Sequence, residues 1–233
     1  MSGQDDEAGD GIEARLAAVI AKRGYLLPHH GLMAVAMPDL LAGYDAAYTA
    51  LTLTPRHLDD RTKEFVWLAI LTAVEEVVTT HHVTKFQQAG GTDAEIELAV
   101  RLGGFREVGR RIAFAAEHWA RHMPGYERAG AYRRALAALT SDLPVAAGWI
   151  EMAMAAASAC RQEWWALGEH ISGAYAAGVP EDHLAEALSL TMFPGSVPNF
   201  VDACRVWREM VRDGAVPASA RYRRWAELSG PRE

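Results

Sequence analysis

The sequence predicts an all-α fold built from two related helical halves. Three observations carry that reading. Residues recur at helical spacing over long stretches, as at Phe65, Leu68, Ala69 and Thr72. The breaks carry helix stops and starts, as where Ala89-Gly90 is followed by Thr92-Asp93-Ala94-Glu95. A polar pattern also returns: Glu75, His82 and Ala89-Gly90 recur as Glu163, His170 and Ala177-Gly178 at a constant shift of 88 residues. No stretch alternates as a half-buried strand would.

Taken in order, residues 1–10 form a polar, Gly-containing tail, expected to be disordered. Residues 12–23 read as a helix with Leu16, Val19 and Ile20 on one face and Gly24 as its stop. Pro28 disfavours helix at Leu27, which makes 25–30 a connector. Residues 33–51 read as helical, with a break or new start at Pro38. Asp59-Asp60 opens the longest periodic segment, to about Ala89, with a kink expected in the β-branched run 77–80. A capping box at Thr92 and Glu95 opens a helix over 93–102, and 105–123 is a further helix closed by Pro124-Gly125.

Residues 126–143 then link the halves through a short helix at 131–139. Pro144 opens the second copy, whose long helical stretch runs over 146–177 with a break expected near Gly168. Pro180 stands at a first helical position, with Glu181 and Asp182 facing the dipole. A helix over 197–212 precedes a polar tail. The predicted organisation is a tail at 1–10, a first repeat at 11–125, a linker at 126–143 and a second repeat at 144–233.

Composition narrows the function. With 50% hydrophobic residues in 233, the chain can bury a full core. A net charge of −7 disfavours a nucleic-acid partner. Cys160 and Cys204 make neither a disulfide framework nor a Cys-based zinc site. The acidic N-terminus lacks the basic start of a signal peptide. The apolar stretch at 66–71 with its neighbours reaches about half of the ~20 residues of a membrane span. The expectation is a soluble, cytoplasmic protein with no membrane partner.

Several pieces resemble the carboxymuconolactone decarboxylase family, also called the AhpD-like alkylhydroperoxidase family. In the first half these are Lys63-Glu64-Phe65-Val66-Trp67-Leu68-Ala69, His82, Ala89-Gly90-Gly91-Thr92 and Asp93-Ala94-Glu95-Ile96. In the second they are His170, Ala177-Gly178-Val179-Pro180-Glu181-Asp182, Ala187-Leu188 and Pro194-Gly195-Ser196-Val197-Pro198. The resemblance implies an AhpD-like helical fold, a homo-oligomer (trimer-like) and a His-centred pocket for a small-molecule substrate. Peroxidase members carry Cys-x-x-Cys four and seven residues before the His. Here those positions hold Glu75 and Val78, then Glu163 and Ala166. Peroxide reduction through a thiol pair is therefore not expected. Members without the pair include decarboxylases of lactone acids.

The candidate catalytic residues are His82, Glu75, His170 and Glu163. A His near neutral pKa and a partly buried Glu make a proton-transfer pair. His82 is expected to act as acid/base with Glu75 as its orienter, and His170 with Glu163 as the second pair. Seven residues on a straight helix span about 10 Å, so a joint role needs a kink or cross-pairing between the copies. The leading reading is a decarboxylase or lyase acting on an oxo- or lactone carboxylic acid, with no cofactor assigned. A divalent metal held by His82, Glu75, Glu163 and His170 is the alternative. A catalytically silent oligomeric protein is the third. Trp164-Trp165 reads as core or interface rather than a stacking box, Cys160 as a small buried apolar residue and His118/His122 as a surface pair. His29-His30 are candidates for a pocket mouth.

Overall fold

The computed structural model describes residues 3–143 and 145–228. The expected opening of the second copy at Pro144 lies outside them, as do residues 1 and 2 of the expected tail. Among the described residues the chain is all-α, with no strand. It divides into two compact units, at residues 1–54 and 55–233. The boundary therefore falls inside the expected first repeat, and both copies of the repeated pattern lie in the second unit.

The first unit holds α1 (Gly3–Arg23), α2 (Pro28–Ala36), α3 (Pro38–Tyr48) and a π-helical turn, Thr49–Leu53. Its helix begins at Gly3, so the expected disordered tail is helical from that residue on. Val19, Met33, Ala34 and Leu41 form its core, with Ile12, Leu16 and Tyr44 against them. Arg23 is buried beside Asp45, its guanidinium 2.7 Å from Oδ1, and lies 3.9 Å from the ring centre of Tyr48. His30 is spent inside this cluster: its Nδ1 accepts from the Leu27 N–H at 3.0 Å, and its Nε2 stands 3.1 Å from Arg23.

The second unit is organised on α4 (Asp60–Val74) and α9 (Ala147–Cys160), which pack on each other. Both bury most of their length, the behaviour of central helices. Asp59 caps α4 by accepting from the Thr62 N–H at 2.8 Å. Around this pair stand α5 (His81–Gln88), α6 (Asp93–Gly104), α7 (Arg106–His118), α8 (Arg128–Thr140), α10 (Trp164–Ala176), α11 (Glu181–Ser189), α12 (Val197–Arg212) and α13 (Ala220–Glu227). Among the described residues no helix is long and apolar enough to cross a membrane.

Two local devices recur. Each central helix ends on a left-handed residue, Glu75 at φ 57° and Gln162 at φ 60°. The next amide reaches back five residues, Glu76 to Leu71 and Glu163 to Ser158, both at 2.9 Å. The expected kink at 77–80 is therefore a full break at Glu75. The break expected near Gly168 lies at Gln162 instead. The following helices stop on Gly90 and Gly178, both at positive φ where a Cβ is disfavoured. The capping box at Thr92 and Glu95 forms as its sequence predicts. Pro180 is the residue before α11 rather than its first.

Candidate functional site

The turn after each central helix folds the next helix back along it. That brings a histidine onto a carboxylate of the central helix. His82 Nδ1 stands 2.5 Å from Glu64 Oε2, and both side chains are buried. His170 Nδ1 stands 2.8 Å from Glu151 Oε2, and His170 has no exposed surface. The same His–Glu pairing thus occurs once on α4 and once on α9.

These partners correct the expected pairs. Glu75 is exposed at the end of α4, and Glu64 holds the place against His82 that Glu75 was expected to fill. Glu163 is half-buried and paired with Arg106 at 2.5 Å, while Glu151 is the carboxylate on His170. No cross-pairing between the copies is needed, because each histidine is satisfied within its own copy. Among the described residues no three His, Cys, Asp or Glu side chains are grouped to hold a metal ion. His82, Glu75, Glu163 and His170 therefore do not converge on one centre.

The second pair is elaborated by α8, which the sequence marks only as a linker. Tyr132 Oη lies 2.8 Å from His170 Nε2. With Nδ1–H given to the Glu151 carboxylate, Nε2 is the acceptor and the Tyr132 hydroxyl the donor. The adjacent Arg133 donates to Glu151 Oε1 at 2.7 Å and to the Glu169 carbonyl. Glu151 is consequently bonded at both oxygens. Burial pushes its pKa up, but His170 and Arg133 outweigh that and hold it below the usual value. Burial lowers the pKa of His170 against the opposing pull of Glu151. The imidazole thus lies between a carboxylate and a phenol, with burial favouring its neutral form.

This chain adjoins a cavity of about 200 Å³ whose walls include Tyr132, Glu163, Trp164, Trp165, Arg106 and Arg128. Burial raises the pKa of Glu163, against the lowering effect of Arg106, Arg161 and Arg110. The Arg128 guanidinium sits 3.7 Å from the ring centre of Trp165. Arg110 and Ala166 also line the cavity. Trp164 and Trp165 are half-buried and line the cavity.

Elsewhere, Cys160 is buried, as expected of a small apolar residue, and burial pushes its thiol up to about 12. His118 and His122 are exposed. His81 packs beside His82 and is lowered to about 4 by burial first, then by His82 and Lys85. Sequence reasoning missed Glu64, Glu151 and Tyr132. The available signal for the carboxylates was an acid at the edge of one apolar run and inside the other, Glu64 before Phe65-Val66-Trp67 and Glu151 between Ile150 and Met152.

No curated protein matches the chain, and no solved structure does. The model of the carboxymuconolactone decarboxylase family matches residues 38–122, which include the Glu64–His82 pair and stop short of α8. Over that segment the chain is similar to the carboxymuconolactone decarboxylase family.

Proposed function

We propose that the protein is an acid–base enzyme of the decarboxylase or lyase type, acting on a small oxo- or lactone carboxylic acid in the cavity beside α8. One observation carries the reading. A buried Glu151–His170–Tyr132 chain backs a cavity whose wall holds Glu163, a carboxyl with a raised pKa. Burial favours the neutral form of both groups, the protonated carboxyl and the free imidazole, which are the forms an acid and a base need. Glu163 is the acid, since burial keeps its proton on longer as pH rises. The His170 chain is the base, since burial keeps His170 neutral.

Arg106, Arg110 and Arg128 give the cavity a cationic wall suited to a carboxylate and to the enolate formed from it. In a decarboxylation the C–C bond to the carboxylate breaks and CO₂ leaves. The electron pair moves onto the neighbouring carbonyl oxygen. Glu163 then delivers its proton to the carbon and regains the one that the His170 chain took from the substrate's carboxyl group. No thiol takes part.

The test is CO₂ release from a panel of 3-oxo and lactone carboxylic acids by the native protein and by Glu163→Gln. The expected result is turnover of at least one acid and a loss of about 100-fold or more in the variant. Equal rates in the two proteins, or no turnover of any acid, would sink the reading.

A further inference from the structure

We propose that Tyr132, supplied by α8, is the catalytic residue through which protons pass between a bound molecule and His170, and that the site therefore also exchanges a carbon-bound hydrogen beside the carbonyl of a small oxo acid. The inference rests on the cavity reading above and adds both a residue and an activity to it.

His170 is fully buried, with Nδ1 committed to Glu151 and Nε2 to Tyr132. Neither nitrogen has a lone pair or proton left for a ligand. Tyr132 lines the cavity, so a proton reaching the imidazole from a bound molecule has the phenol as its route. The ring is fixed for that task. It packs edge-on against Phe105 at 5.0 Å and Trp165 at 5.3 Å, and a Cβ on Gly109 would lie 3.0 Å from its Cε2. Glycine at 109 thus leaves the phenol its space.

The step balances without another reactant. A C–H bond beside the carbonyl breaks and its proton bonds to Tyr132 Oη. The proton already on Oη passes to His170 Nε2, and the electron pair of the broken bond moves onto the carbonyl oxygen as an enolate. The imidazolium so formed faces the ionised Glu151. Reversal returns a proton to carbon, and in heavy water that proton is deuterium once the chain has exchanged with solvent.

The experiment follows deuterium uptake at C3 of 2-oxobutanoate by proton NMR in heavy water. Saturation transfer in the same sample reads binding. The native protein is expected to bind and exchange the probe. Tyr132→Phe is expected to bind within about 2-fold and to exchange at least about 50-fold more slowly, a loss in kcat rather than KM. Should Tyr132→Phe fail to fold, Glu151→Gln serves as the second variant, with the same pattern expected, because the imidazolium would lose its counter-charge. Exchange at the native rate in the folded variant overturns the proposal, as does native protein that binds the probe without exchanging it. If Tyr132→Phe keeps full exchange while Glu163→Gln abolishes CO₂ release, the role of Tyr132 falls and the cavity reading stands. If exchange depends on Tyr132 but no acid releases CO₂, the role of Tyr132 stands and decarboxylation falls. Absence of probe binding to the native protein overturns both.

Discussion

The carboxylate of Glu151 occupies the space that a side chain on Gly173 would need. A Cβ at Gly173 would lie 2.3 Å from Glu151 Oε2 and 2.4 Å from its Cδ. Gly173 sits on α10 three residues after His170, so the glycine is what lets a carboxylate of α9 come flat against that helix. Gly173→Ala is therefore expected to push Glu151 off His170 Nδ1. Overpacking of this kind costs about 1–3 kcal/mol. Catalysis is expected to fall by more than stability does, since the imidazolium would lose its counter-ion. Melting temperature and turnover measured side by side check this, and an alanine variant with native turnover refutes it.

The pH dependence follows from two shifts of opposite sign. Burial lowers His170, so the base stays neutral below its ordinary 6.5 and is lost only as pH falls through the lowered value. Burial raises Glu163 above 4.5, so the acid keeps its proton further up the scale and is lost as pH rises through the raised value. The profile of kcat/KM is expected to be a bell with its maximum on the acid side of neutrality. Residual activity of Glu163→Gln is expected to lack the alkaline limb. Treatment with a chelator is expected to leave the rate unchanged. A rate still climbing above pH 8, or one abolished by chelator and restored by a single metal, would count against the assignment.

Much of the helical frame is legible in the sequence. Asp59 as a start, Gly90 and Gly178 as stops, the Thr92–Glu95 box and the helix at Val197–Arg212 all follow from local chemistry. The carboxylates on the histidines are not legible, for a specific reason. The repeat runs at a shift of 88 from Glu75 onward, but Glu64 and Glu151 stand 87 apart, as do the left-handed residues Glu75 and Gln162. One residue is gained at the turn. A fixed register therefore maps Glu64 onto Met152 and hides the pairing, and it promotes Glu75, which only happens to align with Glu163. Tyr132 is hidden differently. Its role depends on how α8 packs against α7 and α10, and nothing within residues 126–143 encodes that destination.

The two His–Glu pairs make separable demands, which a pair of variants can tell apart. His82 is stacked on Trp67 at 4.6 Å and buried with Glu64 at the centre of the second unit. His170 has the same carboxylate support plus the phenol and the adjoining cavity. Removing one member of a buried ionisable pair leaves the other without its partner, at a cost of roughly 3 kcal/mol or more. His82→Ala is thus expected to lower the denaturation midpoint sharply while the surviving folded protein keeps most of its turnover. His170→Ala is expected to abolish turnover whatever it does to stability. Urea titrations and rates at a temperature where both variants are folded decide the matter. If His82→Ala proved fully folded yet inactive, the working site would have to be placed at Glu64 and His82 rather than beside α8.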